Sequence, residues 1–261
     1  MKSIKTWAAA CLLSTATPSF ARLITIIVKP HSETSAIPEN AARETEGYRY
    51  ADAYIDVLAH LYNAETYTDS AESKASEESP EHFEKQWVDY LTIEMSALKN
   101  SNHEIEDALA IISPFNKSGR KDIRDGNWII ATCLGGILKN QNKQIQAIIS
   151  LLNGKPGNVH RGDIIDSATS IRSSEHYFLN QFAQSAGLAA YGMCKPPRTL
   201  KDHYERYDFT AAQRAHLKET LESYFGEGVK TLHAGTLYSE AAAAGLYLFL
   251  SNDKFKTLDE E

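Results

Sequence analysis

The sequence predicts an all-α protein: a multi-helix bundle of about six or seven helices behind a short extended N-terminal segment. Three observations predict it. Gly (14) and Pro (8) are both scarce among 261 residues, roughly 5% and 3% against about 7% and 5% in average proteins. Beyond residue 40 the prolines fall only at Pro80, Pro114, Pro156, Pro196 and Pro197, so long stretches are open to uninterrupted helix. From Ala41 onward, apolar residues recur at intervals of three and four, the helical period.

The first residues read differently. Lys2 and Lys5 form a positive start, Trp7 to Thr17 a short apolar and small-residue core, and Pro18 breaks it before Ser19-Phe20-Ala21. That is the pattern of a secretory signal with cleavage after Ala21, so residues 1–21 are expected to be removed and the mature chain to be exported, to a periplasm or outside the cell. A retained anchor would carry Pro18 and Arg22 into the bilayer, where a charge costs about 2.5–3.5 kcal/mol. Residues 22–40 form the extended segment, with Arg22-Leu-Ile-Thr-Ile-Ile-Val-Lys-Pro30 as the one β-like run. Residues 41–261 are expected to form a single helical domain.

Within that domain Tyr50, Tyr54, Val57, Leu58 and Leu61 mark a first helix. Residues 66–80 are acidic, Ser-rich and without large aliphatics, which predicts an exposed linker. A second helix opens at Pro80-Glu81 and carries Phe83, Trp87, Leu91 and Leu98. Ser101 and Glu104 have the spacing of a capping box, so a separate third helix is expected to carry Ile105, Leu109 and Ile112. After a loop over 114–127, Trp128 to Leu138 is the most apolar stretch of the mature chain. It predicts a central helix buried on all sides, with Gly135 and Gly136 allowing close packing.

That helix becomes one-sided through Ile145, Ile148, Ile149 and Leu152, and the Gly/Pro/Asn-rich residues 153–158 predict a turn. Ile164, Ile165, Ala168, Ile171, Leu179, Phe182 and Ala186 mark the next helix, which ends between Gly192 and Pro197. Thr210 and Gln213 cap another, with Leu217, Leu221 and Phe225 inside it and Gly226 just past its end. An Ala-rich helix over Thr236 to Leu250 comes last.

Charge and composition exclude several functions. The formal net charge is −7 and the pI near 5.7. Loss of Lys2 and Lys5 takes the 27 basic residues to 25 against 34 acids, a mature net charge of −9. Such a surface does not bind nucleic acid by bulk charge. The chain is 43% hydrophobic, too apolar for disorder, and the mature part has no second membrane-span candidate. The basic residues Lys117, Arg120, Lys121 and Arg124 are interrupted by Asp122 and Asp125, which suits at most one acidic partner.

With Cys11 in the signal, the mature chain keeps two cysteines, Cys133 and Cys194. In an oxidising compartment one disulfide would close a loop of about 60 residues and contribute about 4 kcal/mol. Geometry sets a condition. Mirroring Cys133 across the turn at 153–158 lands near residue 179 or 180, and Cys194 lies roughly 20 Å further along a continuous helix, beyond the reach of a disulfide. The bridge therefore requires a chain reversal near Gly187 or Gly192. No C-x-x-C spacing points to a metal or redox site.

The candidate acid–base residues are Asp52, Asp56 and His60, at four-residue intervals with Arg49 and Asn63 near the same face, and His203 and Glu205 in the run His203 to Asp208. Carboxylates beside an imidazole are what proton transfer or a divalent cation would use. The simpler reading of the first group is the solvated face of an amphipathic helix, and of the second, ordinary polar surface. No zinc, di-iron, nucleotide or nucleophile-elbow motif is present, and no cofactor or metal is expected. Arg161-Gly162-Asp163 sits at an expected helix start, where Asp163 faces the positive helix end. The expected function is therefore non-enzymatic: binding of a protein partner or small ligand by an exported helical protein. The alternative is a helical hydrolase or lyase acting on an envelope or extracellular polymer.

Overall fold

The computed structural model describes residues 44–77, 80–153, 161–196, 206–231 and 237–260, with side chains outside 70–85 and 161–174. Among them are six α-helices and no strand: α1 Glu46–Glu77, α2 Pro80–Ile112, α3 Lys121–Leu152, α4 Arg161–Gly192, α5 Ala211–Phe225 and α6 Tyr238–Leu250. Two short 3-10 turns, Ser113–Lys117 and Glu227–Lys230, join them. The expected all-α class is what the chain adopts. The expected signal and the expected extended segment lie outside the described residues.

Four helices of 32 or 33 residues, each about 48 Å long, form the frame. Their cross-contacts show antiparallel neighbours. On α1 and α2, Tyr50 meets Phe115 just past α2, while His60 meets Glu104 ten residues further along α1. On α2 and α3, Asn102 pairs with Asn142 and Glu94 with Gln144. On α3 and α4, Gly126 lies against Leu188 and Gly136 against Phe178. The shorter α5 and α6 close over the remaining side of α1.

This arrangement makes α1 the interior helix. Between Tyr48 and Ala64 nearly every apolar residue is buried, with Tyr50, Tyr54, Ile55, Leu58 and Leu61 all at 0% exposure. Tyr54 stacks on Phe182 of α4, and Tyr62 meets Phe225 of α5 edge to face. Helix α3, expected in the centre, is instead an outer helix. It buries one stripe that includes Ile123, Ile130, Leu134, Ile137, Ile145 and Ile148, while Trp128 is 67% exposed. An apolar run on an outer helix can bury only the face turned to its neighbours; α1 has neighbours all round.

Two other expectations change. Helix α1 runs on to Glu77, so the linker expected over 66–80 is helical for most of its length. Ala71, Glu72, Lys74, Ala75 and Glu77 are strong helix formers, and nothing in the segment forces an exit. Likewise α2 is continuous from Pro80 to Ile112, with one non-helical residue at Gln86. Ser101 is not a cap. It is fully buried and accepts an amide hydrogen from Gln141 at 2.9 Å, while Glu104 turns to α1. The box marks a helix start only where the backbone leaves the helix, and here it does not.

Local signals elsewhere act as expected. Thr210 and Gln213 form a reciprocal capping box on α5, and Gly226 ends it at φ 71°. Helix α4 begins at Arg161, the first residue of the Arg-Gly-Asp triplet. Gly136 allows the close approach read for it, since a Cβ there would stand 2.4 Å from the Phe178 ring; Gly135 faces open space. Among the described residues, no helix is long and apolar enough to cross a membrane.

Candidate functional site

The face of α1 that carries Asp52, Asp56, His60 and Asn63 is not a solvated face. Asp56 is 5% exposed and Asn63 2%. Helix α2 bounds this face on one side and α5 on the other, and each supplies a partner. The Tyr224 hydroxyl of α5 donates to Asp56 Oδ1 at 3.1 Å. His60 Nδ1 lies 2.6 Å from Glu104 Oε2 of α2, and Asn63 Nδ2 donates to the same oxygen at 3.3 Å. Burial of a helix face so polar is tolerable only because its groups find partners.

The chemistry follows from those partners. A carboxylate on one ring nitrogen fixes the orientation of an imidazole and favours its proton on that side. Glu104 holds His60 so, with Asn63 steadying the carboxylate. This is half of an acid–base device. Asp56, one turn away, accepts the Tyr224 hydroxyl. Among the described residues, no group of three or more His, Cys, Asp or Glu side chains is arranged to hold a metal ion.

One turn further along α1 lies Glu65, which sequence reasoning passed over. Its Oε1 accepts the backbone N–H of Tyr238 at 3.0 Å and its Oε2 that of Ser239 at 2.8 Å, so it caps the first turn of α6. Burial pushes its carboxyl up to about 7; the Ser239 and Tyr238 donors oppose that, and nearby Glu175 adds to it. Glu175 of α4 is itself 6% exposed and takes the Gln141 amide at 2.5 Å. Next to it, His176 meets the Tyr238 hydroxyl through Nδ1 at 3.3 Å. A second carboxyl, Glu94, is also raised by burial, against a lowering bond from Gln144 at 2.8 Å. The only sequence signal for Glu65 was an acid one residue after the core position Ala64.

The second candidate group is divided. His203 and Glu205 lie outside the described residues. Tyr207 and Asp208 turn inward. Tyr207 is fully buried, stacks on Phe209 with ring centres 4.9 Å apart, and donates to the Phe249 carbonyl at 2.5 Å. Asp208 Oδ2 takes Arg120 Nη1 at 2.8 Å and the Gly47 N–H at 3.1 Å. Burial raises its carboxyl, with Arg120 drawing it back.

Arg120 also grips Asp122 through Nε and Nη2, at 3.2 and 2.7 Å, and reaches the Cys194 carbonyl at 2.6 Å. Lys121 pairs with Asp125, and Arg124 bonds the Ser118 carbonyl. Three of the four basic residues read as a docking patch are thus engaged within the chain. Cys133 and Cys194 are unbonded and buried. Helix α4 runs unbroken past Gly187 to Gly192, and the Cys194 thiol donates to the Ala190 carbonyl at 3.3 Å.

Compared with known proteins, the chain matches no family model, no curated protein and no solved structure.

Proposed function

We propose that this is an exported helical protein that acts by binding a protein partner or small ligand through the outer surface of its bundle. The observation that carries the reading is where the acid–base candidates go. Asp56 accepts from Tyr224 of α5 and His60 pairs with Glu104 of α2, contacts that tie α1 to its neighbours. Large apolar side chains meanwhile stay outside: Trp128 (67% exposed) on α3, Tyr177 (62%) and Leu188 (41%) on α4 and Val88 (46%) on α2. Aromatic side chains of this kind are the usual anchors of a protein contact.

The test uses residues 22–261 as bait against the host's own envelope and extracellular fractions, with the W128A/Y177A double variant beside the parent. The reading expects a partner or ligand held by the parent and lost by the variant at unchanged thermal stability. Equal capture by both, or capture by neither, would count against it. Export is tested by the mass of the protein recovered outside the cytoplasm, which should lack residues 1–21.

One observation favours the alternative, a hydrolase or lyase acting on an envelope or extracellular polymer: the 2.6 Å His60–Glu104 pair buttressed by Asn63. That reading expects polymer cleavage that disappears in H60Q while the fold survives.

A further inference from the structure

We propose that Asn116 is a modification site: the acceptor of an N-linked sugar, transferred during export from a lipid-linked sugar pyrophosphate. Of the chain's 12 asparagines, only this one stands in an Asn-x-Ser/Thr triplet with x other than proline, as Asn116-Lys117-Ser118. The inference rests on the export half of the proposed function and is independent of any partner.

The triplet closes the 3-10 turn Ser113–Lys117, at the corner between α2 and α3. Phe115 anchors the turn on the core through the Tyr50 ring, with ring centres 5.2 Å apart. Around that anchor Pro114, Asn116, Lys117 and Gly119 are exposed. A Cβ at Gly119 would meet nothing within 4 Å, so the space beside the turn is open. A surface turn of this kind accommodates a bulky, hydrophilic group without disturbing the helices it joins.

The amide of Asn116 is held the right way round. Asn127, fully buried on α3, donates from Nδ2 to the Ile112 carbonyl at 3.1 Å and to Asn116 Oδ1 at 2.7 Å. A backbone carbonyl only accepts, which fixes the Asn127 atom as its nitrogen and the Asn116 atom facing it as an oxygen. Asn116 Nδ2 is then the branch turned away from Asn127. In the transfer Nδ2 bonds the sugar's anomeric carbon and the bond from that carbon to the pyrophosphate oxygen breaks. The lipid pyrophosphate leaves with the electron pair, and Nδ2 gives one proton to a base of the transferring enzyme. Oδ1 is untouched, so the Asn127 bond survives the modification. Ser118 sets the timing. It is 7% exposed and its Oγ accepts the Arg120 N–H at 3.0 Å, so an enzyme reaches that hydroxyl only before the turn closes. Transfer therefore precedes folding, while the chain is being exported.

Peptide masses of the protein recovered from its own host, outside the cytoplasm, test this. The N-terminal peptide should lack residues 1–21. The peptide containing Asn116 should carry a sugar mass that a glycan amidase removes, leaving an aspartate where the asparagine stood. S118A should lose the sugar completely and S118T should keep it, although neither alters the acceptor itself. A chain that lacks residues 1–21 and has Asn116 bare overturns the proposal and leaves export standing. A chain that keeps residues 1–21 overturns both. A sugar that persists in S118A also overturns the proposal, because the triplet is then not what was read. Should either variant fail to fold, the parent's Asn116 peptide decides alone: a sugar there supports the assignment, and a bare asparagine overturns it.

Discussion

The guanidinium of Arg120 lies 2.8 Å from the carboxylate of Asp208, a pair separated by 88 residues of sequence. It fastens the start of α3 to the segment before α5, and through Gly47 and the Thr45 hydroxyl to the start of α1 as well. Gly47 is required there, because a Cβ would stand 2.6 Å from Asp208 Cβ. Both charged side chains are about 15% exposed. Removing one partner of such a pair strands the other. R120A should therefore lower unfolding stability by about 2–4 kcal/mol, and D208N by less, since Asp122 still holds the guanidinium. Urea denaturation measures both. A loss under about 0.5 kcal/mol in R120A would mean the clasp is ornamental.

Two adjacent glycines should respond in opposite directions. At Gly136 a methyl group would meet the Phe178 ring at 2.4 Å, so G136A should cost about 1–3 kcal/mol through forced repacking. At Gly135 nothing lies within 4 Å. G135A should raise stability by up to about 1 kcal/mol, the helix-propensity difference between Ala and Gly. Melting temperatures of the two variants, measured side by side, check the contact without any functional assay.

Stability should decline from mildly acidic to neutral pH. The folded carboxyl of Glu65 sits at about 7, above its ordinary value of 4.5. Across that interval the folded protein holds a proton that the unfolded chain has lost, so its contribution is complete below about 4.5 and gone above about 7. The size is on the order of 3 kcal/mol. The raised Glu94 and Asp208 act in the same sense. In E65Q the decline should be shallower by that amount. Denaturant titrations every half unit from pH 4.5 to 8 would show it, and a parallel decline in both proteins would remove Glu65 from the account.

The thiols should stay unbonded and unreactive. Burial raises both, and it carries Cys194 well beyond the ordinary thiol range, where Asp122 and Asp208 add to the effect against Arg120. Ellman's reagent on folded residues 22–261, without reductant, should react slowly. After unfolding it should count two thiols. A count of zero would establish a Cys133–Cys194 disulfide.

What was legible in the sequence was what is local. The α5 cap needs only Thr210 and Gln213, three residues apart, and the all-α class needs only period and proline placement. Ser101 and Glu104 show where such reading fails. The spacing is that of a cap, but tertiary contacts to Gln141 and His60 claim both side chains. Nor could periodicity tell that α1, with its tyrosines and Asp56, is more deeply buried than the more apolar α3. That depends on how many helices surround each, which no window of sequence contains. Asp56 and His60 were found as candidates by their spacing; their partners, Tyr224 and Glu104, come from other helices.

The backbone donors that Glu65 binds are made 173 and 174 residues after it. Helix α1 thus leaves the ribosome well before the last of the helices that wall it in. A nascent chain ordered this way has no completed centre to fold around until α6 has been made. For that whole interval it remains a thread rather than a body, free to be passed along or held by a chaperone before it closes on itself.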